Sequence, residues 1–251
     1  MNNIKISIII PYFKKKKYIK NTLRSVINQN YKSFEVIIIY DDDDKNDLLY
    51  IKKLIKTDKR IKLLVNKKNL GAGRSRNIGI ANAKGSYICF LDADDIWKKN
   101  KLLTQLNFMI NNNYLISHTS YEIIKKNKVL EKRIARNFLN FKSLLKSCDI
   151  GLSTVMISKK VFKKNIKFSN LKTKEDFILW LEILRLNYVI YGLDKVLVRW
   201  QKTEGSLSSS IIQKLSDSYI VYNKFVKFNS VKSLYYTLLL SINYFKKKFV
   251  R

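Results

Sequence analysis

The stretch Ser86-Tyr87-Ile88-Cys89-Phe90-Leu91-Asp92-Ala93-Asp94-Asp95 joins a short apolar strand to three closely spaced carboxylates. The chain has 50 Lys and Arg residues against 19 Asp and Glu residues, so this stretch concentrates a scarce group. Carboxylates this close repel one another unless a cation lies among them, and hard oxygen ligands suit Mg²⁺ or Mn²⁺. An Asp-rich turn or a helix N-cap would also explain the pattern. The stretch alone leaves both interpretations open.

The residues before this stretch alternate between strand-like and helical patterns. The β-branched runs at residues 4–10 and 34–40 and the apolar run at residues 61–65 predict buried parallel strands, the first of which is ended by Pro11. Apolar residues recur at helical spacing between these runs. Strands separated by helices predict an α/β protein with a mostly parallel central sheet flanked by helices. In such sheets, ligands lie across the carboxyl ends of the strands.

The second half of the chain is less regular. Residues 114–130 fit two short strands around a Lys-rich turn, residues 151–157 fit another strand, and residues 177–186 fit a helix. We divide the chain into a first domain at residues 1–210 and a helical extension at residues 211–251.

The extension has both polar and apolar faces. Its second helix carries a narrow polar stripe, with Leu and Tyr covering the remainder, and the stripe consists of Ser233, Thr237, Ser241, Tyr244 and Lys248. The apolar segment 234–245 has 12 residues, too few to cross a bilayer. Two alternatives stay open: the helix lies in an anionic membrane surface, or it packs onto the domain or onto a second subunit. The pattern does not set an oligomeric state.

The composition narrows the classes of protein. A formal net charge of +31 predicts attraction to anions such as nucleic acid, acidic lipids or phosphorylated substrates, but Lys is spread along the whole chain. Two distant Cys residues fit free thiols in a reducing compartment, and a single His excludes a His-rich metal site. We expect no secretory signal and no membrane-spanning run. These features predict a cytoplasmic protein. The basic surface and the amphipathic C-terminal helix are also compatible with a peripheral position at the inner face of the cell membrane.

Several motifs follow one another in a characteristic order. The run Ser7-Ile8-Ile9-Ile10-Pro11-Tyr12 is followed by residues 23–31 and by Phe34-Glu35, a Gly-rich segment at residues 71–79 precedes the acidic stretch, and a Glu-Asp segment occupies residues 173–180. Together these motifs, over residues 4 to about 210, resemble an inverting family 2 glycosyltransferase of the GT-A fold. The resemblance implies a Rossmann-like domain that binds a nucleoside diphosphate-sugar.

The resemblance implies a nucleotide pocket at the ends of the first two strands. Pro11 and Tyr12 would line it, and an acid after the second strand would accept from the base. Asp41 takes this place, with Asp42 as the alternative. A carboxylate can accept the imide N–H of uracil or of thymine. Tyr40 stands where the family has its first Asp, and the Gly-Ser that follows in the family is absent.

The resemblance also implies a phosphate side to the pocket. Arg76 is the better match to the family's arginine near the diphosphate or base, and Arg74 is the second choice. Its planar fork of donors suits that role. Asp94 would coordinate a divalent cation, Mn²⁺ or Mg²⁺, while Asp92 would contact the ribose or support the metal.

The Glu-Asp segment supplies the acceptor side. By resemblance, Asp176 is the general base, and Glu175 shapes the pocket beside it. Inversion needs one carboxylate to take the proton of the attacking hydroxyl. Helix-capping acids would be the structural explanation. Residues 199–202 and 206–208 resemble a loop that closes over the diphosphate.

The resemblance implies transfer of a sugar from a nucleoside diphosphate donor, UDP- or dTDP-linked, to a hydroxyl with inversion. The acceptor would be a lipid-linked or oligosaccharide precursor of a surface polysaccharide or lipopolysaccharide. A catalytically inactive nucleotide-sugar-binding relative is the alternative. A pyrophosphorylase would need a Gly-rich loop after the first strand, where the chain has Pro11-Tyr12-Phe13-Lys14. A nucleic-acid-binding protein would not need the ordered acidic motifs, so we expect no specific nucleic-acid partner.

Overall fold

A computed structural model describes residues 4–203 and 211–249 of the chain. Its first half forms a parallel sheet in the order β3-β2-β1-β4. The strands of this half are β1 (Ile6–Tyr12), β2 (Phe34–Tyr40), β3 (Ile61–Val65) and β4 (Tyr87–Phe90). The helices between them are α1 (Lys16–Ile27), α2 (Lys45–Ile55) and α3 (Ala72–Asn82). The predicted alternation of strand and helix is therefore confirmed.

The prediction that Pro11 ends the first strand is wrong, because β1 continues through Pro11 to Tyr12. Proline cannot donate to a ladder and is tolerated where one edge of a strand lacks a partner. β4 pairs with β1 as far as Ile9, so Pro11 lies beyond that pairing and faces β2 alone.

The second half extends the sheet with shorter and mixed pairings, so that the main path reads β3-β2-β1-β4-β9-β6-β10-β5. Its strands are β5 (Ile96–Trp97), β6 (Ile116–Lys125), β7 (Lys128–Arg133), β8 (Phe138–Leu139), β9 (Met156–Ser158) and β10 (Ile190–Gln201). Its helices are α4 (Lys101–Asn111), α5 (Phe141–Lys146) and α6 (Glu175–Arg185). β9 runs antiparallel to both β4 and β6, whereas β10 runs parallel to β6.

Two local predictions in this half have different outcomes. The predicted hairpin at residues 114–130 is present as β6 and β7, joined through Lys126 and Asn127, which both have positive φ and so make a tight turn. The predicted strand at residues 151–157 is wrong in its first half. Leu152–Thr154 forms a single 3₁₀ turn, and only Met156–Ser158 pairs as β9.

Two apolar clusters cover the two faces of the sheet. One packs α1, α2 and α4 against the side chains of Ile6, Ile8 and Ile10. The other packs α5 and α6 against the opposite face, which includes Ile9 of the same strand. Because successive strand residues point to opposite faces, β1 contributes to both clusters and forms the middle layer of an α/β/α arrangement.

The C-terminal residues pack against the same body. α7 (Ile211–Ile220) continues through a π-helical turn (Val221–Phe225), and α8 (Ser230–Phe249) follows. Tyr222 is buried, lies edge-on to Phe177 of α6 and donates to the carbonyl of Leu145. Among the described residues, no helix is both long and apolar enough to traverse a bilayer. The division of the chain at residue 210 stays a prediction.

Gly79 sets how closely α3 approaches the sheet. A Cβ at this position would lie 2.5 Å from Cγ2 of Ile9 and 3.1 Å from Cδ1 of Ile39. We expect Gly79→Ala to lower the free energy of unfolding by about 1–3 kcal/mol through overpacking, measured by urea denaturation. Ala81→Ser, at an exposed position of the same helix, should change it by less than about 0.5 kcal/mol. Equal stability of the two variants would contradict the close packing.

Candidate active site

Six of the predicted site residues lie at or just beyond the carboxyl ends of β1, β2 and β4, namely Pro11, Tyr12, Asp41, Asp42, Asp92 and Asp94. Parallel pairing brings the ends of these strands to one edge of the sheet. The backbone N–H of Asp41 donates to the carbonyl of Tyr12, which joins the ends of β2 and β1. Asp92 follows β4 on the other side of β1.

Asp41 organises the loop that leads into α3. Its buried carboxylate accepts hydrogen bonds from Asn66 Nδ2 at 2.7 Å and from the backbone N–H groups of Leu70 and Gly71 at 2.8 Å. Asp42 instead accepts from the backbone of Lys14. The roles of Asp41 and Asp42 in binding a base stay predictions. Sequence reasoning did not predict that Asp41 would bond to the loop before α3.

Tyr40, the residue that departs from the family pattern, is part of the core. Its ring stacks on that of Tyr12 with a centroid distance of 5.2 Å, and its hydroxyl donates to the carbonyl of Asp44. The hydroxyl of Tyr12 donates to Asp47 at 2.6 Å. Burial, followed by this bond, raises the pKa of Tyr12. Tyr12 is fully buried, so its predicted contact with the nucleotide, like that of the half-buried Pro11, stays a prediction.

Arg76 joins two acidic segments that are far apart in the chain. It lies on α3 and is 4% exposed. Its Nη2 contacts Asp92 Oδ1 at 2.8 Å, and its Nη1 contacts Glu175 Oε1 at 2.7 Å. Burial lowers the pKa of Arg76, but the two carboxylates together raise it above its ordinary value. The guanidinium therefore places the end of β4 beside the start of α6.

Asp94 is paired with a residue that sequence reasoning did not single out. Lys15 Nζ lies 2.6 Å from Asp94 Oδ2 and also donates to Thr203 Oγ1 at 3.0 Å. Burial and the neighbouring Asp92 raise the pKa of Asp94, and Lys15 opposes this shift. Lys15 lies in the run of four lysines after β1. Because Lys is abundant along the whole chain, this run did not stand out in the sequence.

Asp95 faces inward and stabilises the fold around the acidic turn. It is fully buried, accepts from Ser153 Oγ at 2.6 Å and accepts from the backbone N–H of Gln201 at 2.9 Å. Burial, Asp92 and Asp94 raise its pKa well above the usual range. Asp95 thus ties the end of β10 to the turn after β4.

The acidic edge fits a divalent cation. Asp92 and Asp94 offer hard oxygen donors. The neighbourhood holds five carboxylates, namely Asp92, Asp94, Asp95, Glu175 and Asp176. Among the described residues, Arg76 and Lys15 pair with them directly and Lys174 acts on Asp176, so the carboxyl groups outnumber the cations. Within the described residues, no three acidic, His or Cys side chains already form a metal cage, so water and donor oxygens would complete the coordination.

Asp176 lies in the first turn of α6, beside the Arg76 network. Its Oδ1 accepts from the backbone N–H of Phe177 at 2.7 Å. Burial raises the pKa of Asp176; Arg76 and Lys174 oppose the shift, and Asp92 adds to it. Burial also raises the pKa of Glu175, against the effect of Arg76. A carboxylate with a raised pKa is a better proton acceptor than an ordinary one.

The loop before α6 is held by α7. Asp217 accepts from the backbone N–H of Thr173 at 3.1 Å and from its hydroxyl at 2.6 Å. Sequence reasoning missed Asp217 because it is distant in the chain from the Glu-Asp pair.

The predicted closing loop is only partly described. Arg199 pairs with Glu122 at 3.3 Å and is half exposed, and residues 206–208 lie outside the described residues. The predicted role of this loop at the diphosphate therefore stays a prediction.

The chain matches the model of a protein family over more than half of its length. Residues 7–167 match the family described as Glycosyl transferase family 2. This range contains all but the first residue of β1, the acidic stretch and Arg76.

Curated relatives are also glycosyltransferases. An uncharacterized glycosyltransferase of Rickettsia conorii is 39% identical over 82% of the chain, but the chain spans only 34% of that protein. The Escherichia coli UDP-Glc:alpha-D-GlcNAc-diphosphoundecaprenol beta-1,3-glucosyltransferase WfgD is 34% identical over 95% of the chain and 92% of its own length. The putative teichuronic acid biosynthesis glycosyltransferase TuaG of Bacillus subtilis is 31% identical over 97% of each.

Solved structures share the fold at low sequence identity. Staphylococcus aureus TarS in complex with UDP-GlcNAc superposes with a TM-score of 0.74 at 22% identity, over 94% of this chain and 72% of that one. The mannosyltransferase PcManGT of Pyrobaculum calidifontis, in complex with GDP-Man and Mn²⁺, gives a TM-score of 0.71 at 12% identity, over 98% and 73%.

Removing the Arg76 guanidinium should leave two buried or half-buried carboxylates without their partner. We expect Arg76→Met to lower the free energy of unfolding by about 3 kcal/mol, measured by urea denaturation. The pKa of Glu175 is already raised and should rise further in the variant. An acid with a raised pKa loses stability as pH increases, so the deficit should be larger at pH 8 than at pH 5.

The matched control is Arg74→Met on the same helix. In the part of the chain that the structure describes, Arg74 bonds only to Asn170, in an exposed contact, so its loss should lower the free energy of unfolding by less than about 0.5 kcal/mol at either pH. Equal losses for the two arginine variants would contradict the role assigned to Arg76.

Proposed function

The chain belongs to glycosyltransferase family 2, and from this membership we propose that it transfers a sugar from a nucleoside diphosphate donor to an acceptor hydroxyl with inversion. That it is a glycosyltransferase follows from the family. Inversion, the donor and the acceptor are the parts that we propose.

One observation carries the proposal: Arg76 contacts Asp92 on one side and Glu175 on the other. This contact supports the proposal because Asp92, a candidate metal and nucleotide residue, and Glu175, the neighbour of the candidate base, lie beside the same guanidinium. A site in which these segments faced apart could not bring a donor phosphate and an acceptor hydroxyl together.

Asp176 supplies the general base in this proposal. It takes the proton of the acceptor hydroxyl while the oxygen attacks the anomeric carbon. The new carbon–oxygen bond forms as the bond to the nucleoside diphosphate breaks, and the displacement inverts that carbon. Glu175, held by Arg76, keeps the start of α6 in place.

On the donor side, Asp94 and Asp92 would hold Mn²⁺ or Mg²⁺, which neutralises charge on the departing diphosphate. Lys15 holds Asp94 by an ion pair of 2.6 Å, so it competes with a metal for that oxygen. Asp41 or Asp42, with the main chain at Pro11 and Tyr12, borders the base.

The names of the relatives favour UDP-glucose among the donors. WfgD is named for a UDP-Glc donor and a GlcNAc-diphosphoundecaprenol acceptor, and TuaG for teichuronic acid biosynthesis. We propose a UDP-hexose donor, with a dTDP-sugar as the second choice. The proposed acceptor is a lipid-linked or oligosaccharide precursor of a cell-surface polysaccharide, reached at the inner face of the membrane.

An inactive nucleotide-sugar-binding protein is the second candidate. It is favoured by Tyr40, which is buried where the family carries an acid. Donor binding without turnover for every UDP-, dTDP- and GDP-sugar supplied with lipid-diphosphate acceptors would select it.

Replacing the proposed base should separate binding from chemistry. We expect Asp176→Asn to keep the affinity for UDP, measured by calorimetry, and to lower kcat by about 10²–10⁴-fold. In the unmodified protein, kcat/KM should fall with decreasing pH around a midpoint above 3.8, because the pKa of Asp176 is raised from that value and the base must be ionised. Glu182→Gln, on the same helix, should retain activity. Full turnover by Asp176→Asn would remove the assignment.

Lys15 and Asp94 can be tested without turnover. We expect Asp94→Ala to abolish binding of Mn²⁺, measured by electron paramagnetic resonance with and without UDP. Lys15→Met should instead tighten Mn²⁺ binding in the absence of UDP, because it frees the oxygen of Asp94. Lys17→Met, at an exposed position, is the matched control. Unchanged Mn²⁺ affinity in Lys15→Met would contradict the competition.

A further inference from the structure

α8 buries two hydroxyl side chains and exposes a row of apolar ones. Ser233 and Thr237 are almost completely buried against the rest of the protein. Their hydroxyls donate to the carbonyls of Asn229 and Ser233 at 2.8 Å, and Ser241 donates to Thr237 in the same way. Because these hydroxyls are satisfied within the helix, burying them leaves no donor unpaired. The part of the predicted polar stripe formed by Ser233 and Thr237 thus packs on the domain, whereas Tyr244, which was predicted to belong to the same stripe, is exposed.

The opposite side of α8 is an apolar stripe open to solvent. Its residues recur at spacings of three and four, which places them on one helical face. Each of them is at least half exposed, and they are Val231, Leu234, Tyr235, Leu238, Ile242 and Phe245. A contiguous exposed face of this kind marks an interaction surface.

The surroundings of this apolar stripe are strongly basic. Residues 211–249 contain seven Lys residues and a single carboxylate, Asp217, which is buried and bonded to Thr173. A cavity of about 420 Å³ lies between α5 and the end of α8. Its lining consists of Arg136, Ser143, Lys146, Ser147, Asn243 and Lys246.

This cavity borders the stripe and suits an anion. Lys246 follows Ile242 by one helical turn, at the edge of the apolar face. Asn243 fixes the wall by donating to the carbonyl of Lys146 at 2.8 Å. Asp149 pairs with Arg136 at 3.1 Å, which leaves the two lysines as the charges that a phosphate would meet.

We propose that the apolar stripe of α8 and the adjoining cavity form a docking surface for an anionic phospholipid bilayer. The stripe enters the headgroup region, and the lysines of the cavity contact lipid phosphates. The helix lies flat, because 20 residues with this pattern do not span. A second copy of the chain fits less well, since its own lysines would face those beside the stripe.

The docking surface deepens the proposed function at the acceptor side. α7 precedes α8, and Asp217 of α7 holds Thr173, three residues before Asp176. A bilayer bound along α8 would therefore have a fixed relation to the start of α6, where a lipid-linked hydroxyl must arrive.

The test is sedimentation of the full chain with vesicles, without nucleotide or acceptor. We expect binding to vesicles of phosphatidylglycerol and phosphatidylcholine, weakened by salt, and little binding to phosphatidylcholine alone. Leu238→Asp with Ile242→Asp should weaken binding by more than about tenfold, because it charges the face that enters the lipid. Lys146→Gln with Lys246→Gln should weaken it by about tenfold and flatten the salt dependence.

Val129→Asp with Leu130→Asp is the matched control. These two side chains are as exposed as the α8 pair but lie on β7, so vesicle binding should be unchanged. If the Asp pair lowers the melting temperature, the milder pair Leu238→Ser with Ile242→Ser replaces it, and this pair should also weaken vesicle binding.

Retained vesicle binding by both Leu238/Ile242 pairs would overturn the proposal. So would a dimer in light scattering that the Asp pair dissociates while vesicles are not bound. UDP binding by calorimetry is followed in parallel, so failure at the lipid surface is distinguishable from failure of the donor site.

Discussion

The contact of the Arg76 guanidinium with Asp92 and Glu175 is the interaction on which the site depends. The acidic turn after β4 and the first turn of α6 both carry carboxylates. These carboxylates would repel each other across a largely buried space. The planar guanidinium of Arg76 donates to one carboxylate from each segment. Because the guanidinium is buried, removing it would lower the stability of the protein strongly. α3 can deliver that cation because Gly79 lets the helix approach β1 and β2 closely.

Among the described residues of the site, carboxyl groups outnumber the cations that pair with them or act on them. Burial raises the pKa of Asp94, Glu175 and Asp176, because each is removed from water among other acids. Lys15 balances part of this charge at Asp94. In the function that we propose, the carboxylates after β4 would hold a metal-bound diphosphate, and the raised pKa of Asp176 would make it a better proton acceptor.

The C-terminal helices join this site to the surface of the protein. Tyr222 packs on α6, and Asp217 holds the loop before it. α8 then presents an apolar face that residues 4–203 and 211–249 leave exposed. Its hydroxyl stripe could be read as the solvent side from sequence alone, because polarity usually predicts exposure. Hydrogen bonds to carbonyls one turn earlier remove that preference, so Ser233 and Thr237 are buried instead.

The alternating strands and helices, the acidic turn after β4 and the family could all be predicted from the sequence alone. Each depends on residues close together in the chain, whose periodicity is visible without a structure. The tertiary structure decided that Arg76 pairs with Glu175, 99 positions away, that Lys15 holds Asp94, and which face of α8 is open. The residue at which β9 begins, and the continuation of β1 beyond Pro11, also depended on pairing with neighbouring strands. Such pairings depend on burial and charge between elements that are far apart in the chain. Local sequence patterns do not show which of these elements will be neighbours.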